Sequence, residues 1–125
     1  MKFIKPVLEG YKKENKNCTV VALSVSTSLP YDHCLEIAKK AGRKTARGFR
    51  SEKLIDFFNK NSSTKFVAVK LRKPVSVQKF CKKYSKGSFY ARKRGHAFAI
   101  VDGNVFDMPG EATPRSMIKN AWRLK

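Results

Sequence analysis

The chain has 125 residues, 42% of them apolar and nine of them Phe, which suffices for one buried core and gives residues 1–125 as a single domain. Its 28 Lys and Arg against 9 Asp and Glu give a formal charge of +19, spread along the chain; this argues against a disordered basic arm and points to nucleic acid, an anionic surface or an acidic protein as partner. No segment reaches transmembrane length, and Met1-Lys2-Phe3-Ile4-Lys5-Pro6 lacks the apolar stretch and small-residue cleavage site of a signal peptide, so neither membrane nor secretion is expected.

Met1–Leu8 fits a short edge strand or a cover over a sheet, and Gly10 and Asn15 are turn residues in the loop after it. Asn17-Cys18-Thr19-Val20-Val21-Ala22-Leu23-Ser24-Val25-Ser26-Thr27-Ser28-Leu29 is small, apolar and without a clean period of two, and no Lys or Arg occurs from Thr19 to Cys34. It predicts a buried helix from about Cys18, capped by the Asn17 side chain and ended by Pro30. A second helix is predicted from about Tyr31 to Ala41, with Cys34, Ile37, Ala38 and Ala41 on one face and Gly42 closing it. Residues 43–50 form a basic loop. Ser51-Glu52 opens a third helix with Leu54, Ile55, Phe57 and Phe58 turned inward, and Asn61-Ser62-Ser63 breaks it.

The second half changes character. Lys65–Leu71 reads as a strand that Pro74 ends, and Ser76 caps a short helix with Val77, Phe80, Cys81 and Tyr84 on one face. Ser88–Lys93, His96–Val101 and Asn104–Asp107 are three strands of an antiparallel meander, and Asp102-Gly103 is a hairpin turn. Thr113-Pro114 fits the start of a helical turn. Ile118–Leu124 fits a helix or a closing strand. Helices first and antiparallel strands second make the fold α+β, with the N-terminal helices packed on a C-terminal antiparallel β-sheet.

Three cysteines without a secretion signal argue for free thiols in a reducing, cytoplasmic compartment. With no CxxC and no paired Cys/His spacing, no zinc site, other metal or cofactor is expected. Cys34 and Cys81 sit inside apolar helical faces and read as structural. Cys18 sits at an element boundary, in the first turn of a helix, where the positive end of the macrodipole favours thiolate. Imidazole exchanges protons near neutral pH, which makes His96 the candidate base; His33, among Asp32 and Glu36, reads as surface. Asp107 is the candidate acid to orient the imidazole, and Asp102 is better explained as turn chemistry. Asp107 reads equally well as a strand-ending residue that caps Met108-Pro109-Gly110.

A cysteine opening a buried helix, then Gly95-His96-Ala97-Phe98-Ala99-Ile100-Val101, then a Gly turn and a strand carrying Asp107, resembles the papain-like cysteine peptidase superfamily, above all its small bacterial and phage-type members. The resemblance implies a papain-like fold, a closing strand at Ile118–Leu124, and a Cys18-His96-Asp107 triad that cleaves a peptide, isopeptide or amide bond in a protein or peptide substrate. It also suggests a phage-encoded protein acting in a host cytoplasm. Papain-like enzymes place an oxyanion-hole side chain, often Gln, a few residues before the cysteine. No Gln stands there, so Asn15, Asn17 or Lys12 would serve beside the Cys18 backbone N–H.

The basic residues form a second constellation: Arg43, Lys44, Arg47 and Arg50 in one loop, Arg92-Lys93-Arg94 just before His96, and Lys79, Lys82, Lys83 and Lys86 along one helix. They suit nucleic acid or an acidic partner, though no recognised nucleic-acid motif accompanies them. The competing functional reading is therefore a catalytically inactive papain-like basic protein that holds nucleic acid or an acidic protein; the missing Gln is its best support.

Overall fold

The apolar run after Asn17 folds as helix α1 (Cys18–Thr27), and its residues are buried on nearly every side. A helix enclosed in this way must satisfy its own hydroxyls. Ser26 Oγ donates to the Ala22 carbonyl at 2.7 Å, Thr27 Oγ1 to that of Leu23 at 2.6 Å, and Ser24 Oγ to that of Leu29 at 2.7 Å. These observations come from a computed structural model that describes residues 1–8, 11, 16–44, 48–108 and 111–125. Two expected boundary signals act differently. The Asn17 side chain does not cap α1; its Nδ2 donates to Tyr31 Oη at 3.2 Å, and its carbonyl receives the Val20 and Val21 N–H groups. The helix also stops before Pro30, at Ser28, whose backbone turns left-handed at φ 62°.

Helix α2 (Tyr31–Ala41) has the expected bounds, and Gly42 at φ 116° closes it. Helix α3 (Ser51–Asn61) buries Leu54, Ile55 and Phe58, with Phe57 half-buried. Helix α4 (Val77–Lys83) is capped as expected, Ser76 Oγ accepting the Lys79 N–H at 3.2 Å.

The strands are β1 (Phe3–Ile4), β2 (Phe66–Ala68), β3 (Val75–Ser76), β4 (Ser88–Lys93), β5 (His96–Val101), β6 (Asn104–Phe106), β7 (Met117–Ile118) and β8 (Asn120–Leu124). β2 is shorter than the predicted Lys65–Leu71, and Asp107 lies one residue past β6. The C-terminal segment is a strand and not a helix. Thr113-Pro114 starts a single turn, in which the Ser116 N–H donates to the Thr113 carbonyl at 3.0 Å. A six-stranded sheet runs in the order β1-β6-β5-β4-β8-β2, antiparallel except for the β1–β6 pair. β3 and β7 form a separate antiparallel pair. The architecture is α+β.

Strand alternation divides the core between the two faces of the sheet. Tyr90 and Phe66 join the buried residues of α1, α2 and α3, such as Leu23, Leu54 and Phe58. Phe89, Phe98, Ile100 and Val105 join Val77 and Phe80 of α4. Among the described residues no helix is long and apolar enough to cross a membrane.

The β5–β6 hairpin fixes the spacing of the site described below. Asp102 and Gly103 both have positive φ, 49° and 76°, as a two-residue turn of this hand requires. Asp102 also bonds Gly87 twice, its carboxylate accepting the Gly87 N–H at 2.9 Å and its own N–H donating to the Gly87 carbonyl at 2.9 Å. Gly103 is buried, and a Cβ there would meet the Cys81 carbonyl at 3.4 Å in a left-handed conformation. Gly103→Ala is expected to lower the unfolding free energy by about 1–2 kcal/mol, read as an earlier urea midpoint with an unchanged slope.

Candidate active site

Cys18 is the first residue of α1, no acidic residue stands in that first turn, and the helix packs on β5. This brings the thiol to the start of β5, beside the His96 side chain and the Ala97 backbone N–H. Burial pushes the Cys18 thiol up. The bonds from His96 and Ala97 and the His96 charge outweigh burial and the opposing Asp107 charge, so the net shift is downward from the ordinary thiol value. The other two thiols move the opposite way. Burial pushes Cys34 up to about 12 against bonds from Thr27 and Ser24, and burial raises Cys81.

His96 opens β5 immediately after Gly95, whose φ of 72° makes the tight turn and whose missing side chain leaves space before the imidazole. The ring stacks on Phe98 with centroids 6.1 Å apart. His96 Nε2 donates to Asp107, 2.8 Å from Oδ2 and 2.9 Å from Oδ1. This leaves Nδ1 for Cys18. The two side chains are 12% and 8% exposed. Burial works against the charged imidazole, but the bonds and charges of Asp107 and Cys18 overcome it and raise the His96 pKa to about 9. The two shifts run in opposite senses, the thiol down and the imidazole up, which is the direction of a thiolate–imidazolium pair.

Asp107 makes contacts of both kinds read for it, to the imidazole and to the chain that follows. Besides His96, its Oδ1 accepts the Met108 N–H at 2.9 Å, which caps the chain after β6. Its backbone N–H donates to the Ile4 carbonyl at 3.1 Å, so β1 holds it from the other side.

The three residues lie in a cleft of about 1080 Å³. Its lining includes Gly48–Arg50 with the first residues of α3, and Tyr11, Met108 and Glu111. These residues carry no local sequence signature; the packing of α2 on α1 and of α3 on α2 brings the α3 side here. Of the expected oxyanion-hole side chains, Asn17 lines the cleft beside the Cys18 N–H, 8% exposed and with one amide hydrogen on Tyr31. Asn15 and Lys12 lie outside the described residues.

No protein-family model, curated protein or solved structure matches this chain.

The basic residues do not assemble as expected. Arg43 is buried at 3% exposure, its guanidinium donating to the Lys16 carbonyl at 3.3 Å, and so is not a surface contact. Lys44 is exposed and Arg47 lies outside the described residues. Arg92, Lys93 and Arg94 do not form one patch, because adjacent strand residues point to opposite faces. Arg92 enters the cleft and donates to Asn120 Oδ1 at 2.9 Å; Lys93 donates to the Glu111 carbonyl at 2.8 Å; Arg94 is exposed in the turn. Among the described residues no group of three or more His, Cys, Asp and Glu side chains is placed to hold a metal ion.

Proposed function

We propose that the protein is a small papain-like thiol hydrolase that cleaves a peptide, isopeptide or amide bond through an acyl-enzyme at Cys18. The observation that carries this reading is the meeting of Cys18 with the hydrogen-bonded pair His96–Asp107 inside one cleft. The order of elements supports the papain-like fold: the cysteine on the opening helix, the histidine and the acid on neighbouring positions of a later antiparallel sheet. The alternative of an inactive basic binder leaves the lowered thiol and the bonded imidazole without a cause.

The chemistry follows from the geometry. The Cys18 thiolate attacks the carbonyl carbon, and the Cys18 backbone N–H at the open end of α1, with Asn17 as the side-chain donor, stabilises the oxyanion. The imidazolium gives its Nδ1 proton to the leaving nitrogen as the C–N bond breaks, leaving a thioester. Neutral His96 then takes a proton from water, which attacks the thioester; the C–S bond breaks, the carboxylic acid leaves and the ion pair returns. Asp107 holds the ring and steadies its charge. Three free thiols suit work in a reducing compartment.

The test is alkylation by iodoacetamide at about pH 6.5, read at each cysteine by mass spectrometry. Cys18 is expected to react well ahead of Cys34 and Cys81, and faster than it does itself in the urea-unfolded chain. A native Cys18 no faster than the unfolded one would end the hydrolase reading.

A further inference from the structure

We infer that the cleft beside Cys18 binds a carboxylate, so that the substrate is an acidic chain. This rests on the hydrolase reading and adds a substrate class to it. Two helices of ten residues or more open on this one cleft, α1 at Cys18 and α3 at Ser51, and neither has a side-chain cap. Each concentrates partial positive charge on backbone N–H groups. At α3 the N-cap is Arg50, a cation where the dipole disfavours one, and Glu52 is the acid of the first turn.

The nearby side chains, Glu52 among them, offset that potential only in part. Arg50 and Arg92 both line the cleft. Glu52 meets Arg50 at 3.6 Å in an exposed pair that water screens, Asp107 is committed to His96, and Glu111 is exposed at the rim. The hydrogen-bond acceptor for Arg92 is the neutral Asn120 amide. A separate observation points to a ligand. Thr19, next to the nucleophile, lines the same cleft with only 3% exposure, and its Oγ1 has no hydrogen-bond partner among the described residues. A buried hydroxyl without an acceptor is costly, and an anion in the cleft would supply one.

Iodoacetate and iodoacetamide react with thiolate to give the same kind of thioether and differ in charge alone. The quantity to measure is the ratio of their second-order rate constants at Cys18, compared with the ratio at a small free thiol. The protein ratio is expected to favour iodoacetate, and to fall about two- to fivefold in each of Arg50→Gln and Arg92→Gln. Thr19→Val should lower the ratio without lowering the melting temperature, since it removes an unpartnered hydroxyl. Lys79→Gln, on the exposed face of α4, removes equal net charge elsewhere and should leave the ratio where it was. A wild-type ratio equal to that of the free thiol, or an equal fall in the α4 variant, overturns the inference. If both reagents react no faster than with unfolded chain, it is the hydrolase reading that has failed.

The carboxylate belongs to an acidic side chain or to a chain end. Three peptides of one neutral sequence separate these sources by protecting Cys18 from iodoacetamide: one amidated, one amidated with an internal Glu, and one with a free C-terminal carboxylate. Preferential protection by the Glu peptide assigns a side chain, and by the free acid a chain end. Equal protection by all three, or none by any, overturns the carboxylate site.

Discussion

Replacing His96 by Ala is expected to remove most of the reactivity of Cys18 near neutral pH. In the native protein, burial by itself would make the thiol a weaker acid, and only the imidazole and the Ala97 N–H reverse this. Without the imidazole, burial dominates and the thiol returns to or above the ordinary range, where only a few per cent is thiolate near pH 7. The alkylation rate constant at about pH 7 should fall by roughly 30-fold. Hydrolysis should fall further, by on the order of 10²–10⁴, because the proton donor and acceptor is lost as well. The fold should survive, since His96 lies at a strand end and closes no part of either core. An unchanged pH profile of alkylation, with circular dichroism confirming a native fold, would show that the imidazole does not set the state of the thiol.

Replacing Asp107 by Asn is expected to act on the other side of the pH profile. The folded-state pKa of His96 is raised to about 9, so its imidazolium is present below that value and is lost as pH rises through it. Burial alone would drive the ring towards neutrality, and Asp107 is the first of the groups that oppose it. The ion pair therefore exists between the lowered pKa of Cys18 and about pH 9. Asp107→Asn keeps the shape and one acceptor but removes the charge. The upper limit of this window should move down towards the ordinary histidine value, with a loss on the order of tenfold in hydrolysis near pH 8. The variant should lose less below about pH 6, where even an unassisted imidazole is protonated. The same linkage bears on stability: the contribution from the raised His96 pKa is fully present below the unfolded value and fades as pH rises through about 9. The contrast of kcat/KM between the two pH values is the readout, and an upper limb that does not move in Asp107→Asn would remove the carboxylate from the mechanism.

The parts of the site that could be read in the sequence are those set by neighbours in the chain. A polar loop before a small apolar run starts a helix at Cys18, Gly95 starts a strand at His96, and Asp102-Gly103 turns that strand back so that Asp107 meets the imidazole. The parts that could not be read depend on partners far away. Asn17 has the chemistry of a helix cap, but Tyr31 takes its amide instead. Arg43 looks like one more loop cation, yet the turn that ends α2 carries its backbone N–H to the Ala38 carbonyl at 2.9 Å and leads its side chain inward to Lys16. Arg92 and Lys93 are one step apart in sequence and face opposite sides of the sheet. β1, β3 and β7 are two residues long each, and pairing with a distant strand is their cause. The cleft walls follow the same rule, because α3 is legible as a helix while its approach to Cys18 is not.

The short parallel strand at the sheet margin ties the beginning of the numbered chain to the centre of the cleft. Lys2 accepts the Val105 N–H at 2.8 Å and Ile4 accepts that of Asp107. Two-residue margins open in small excursions that leave the rest of the sheet intact. Each such excursion frees the backbone of the acid that holds the imidazole. The backbone order of Asp107 is then tied to the fraying of Phe3 and Ile4 as well as to the melting of the protein. Heat would loosen the hold of Asp107 on the imidazole while both cores remain closed, and cooling would restore it without refolding.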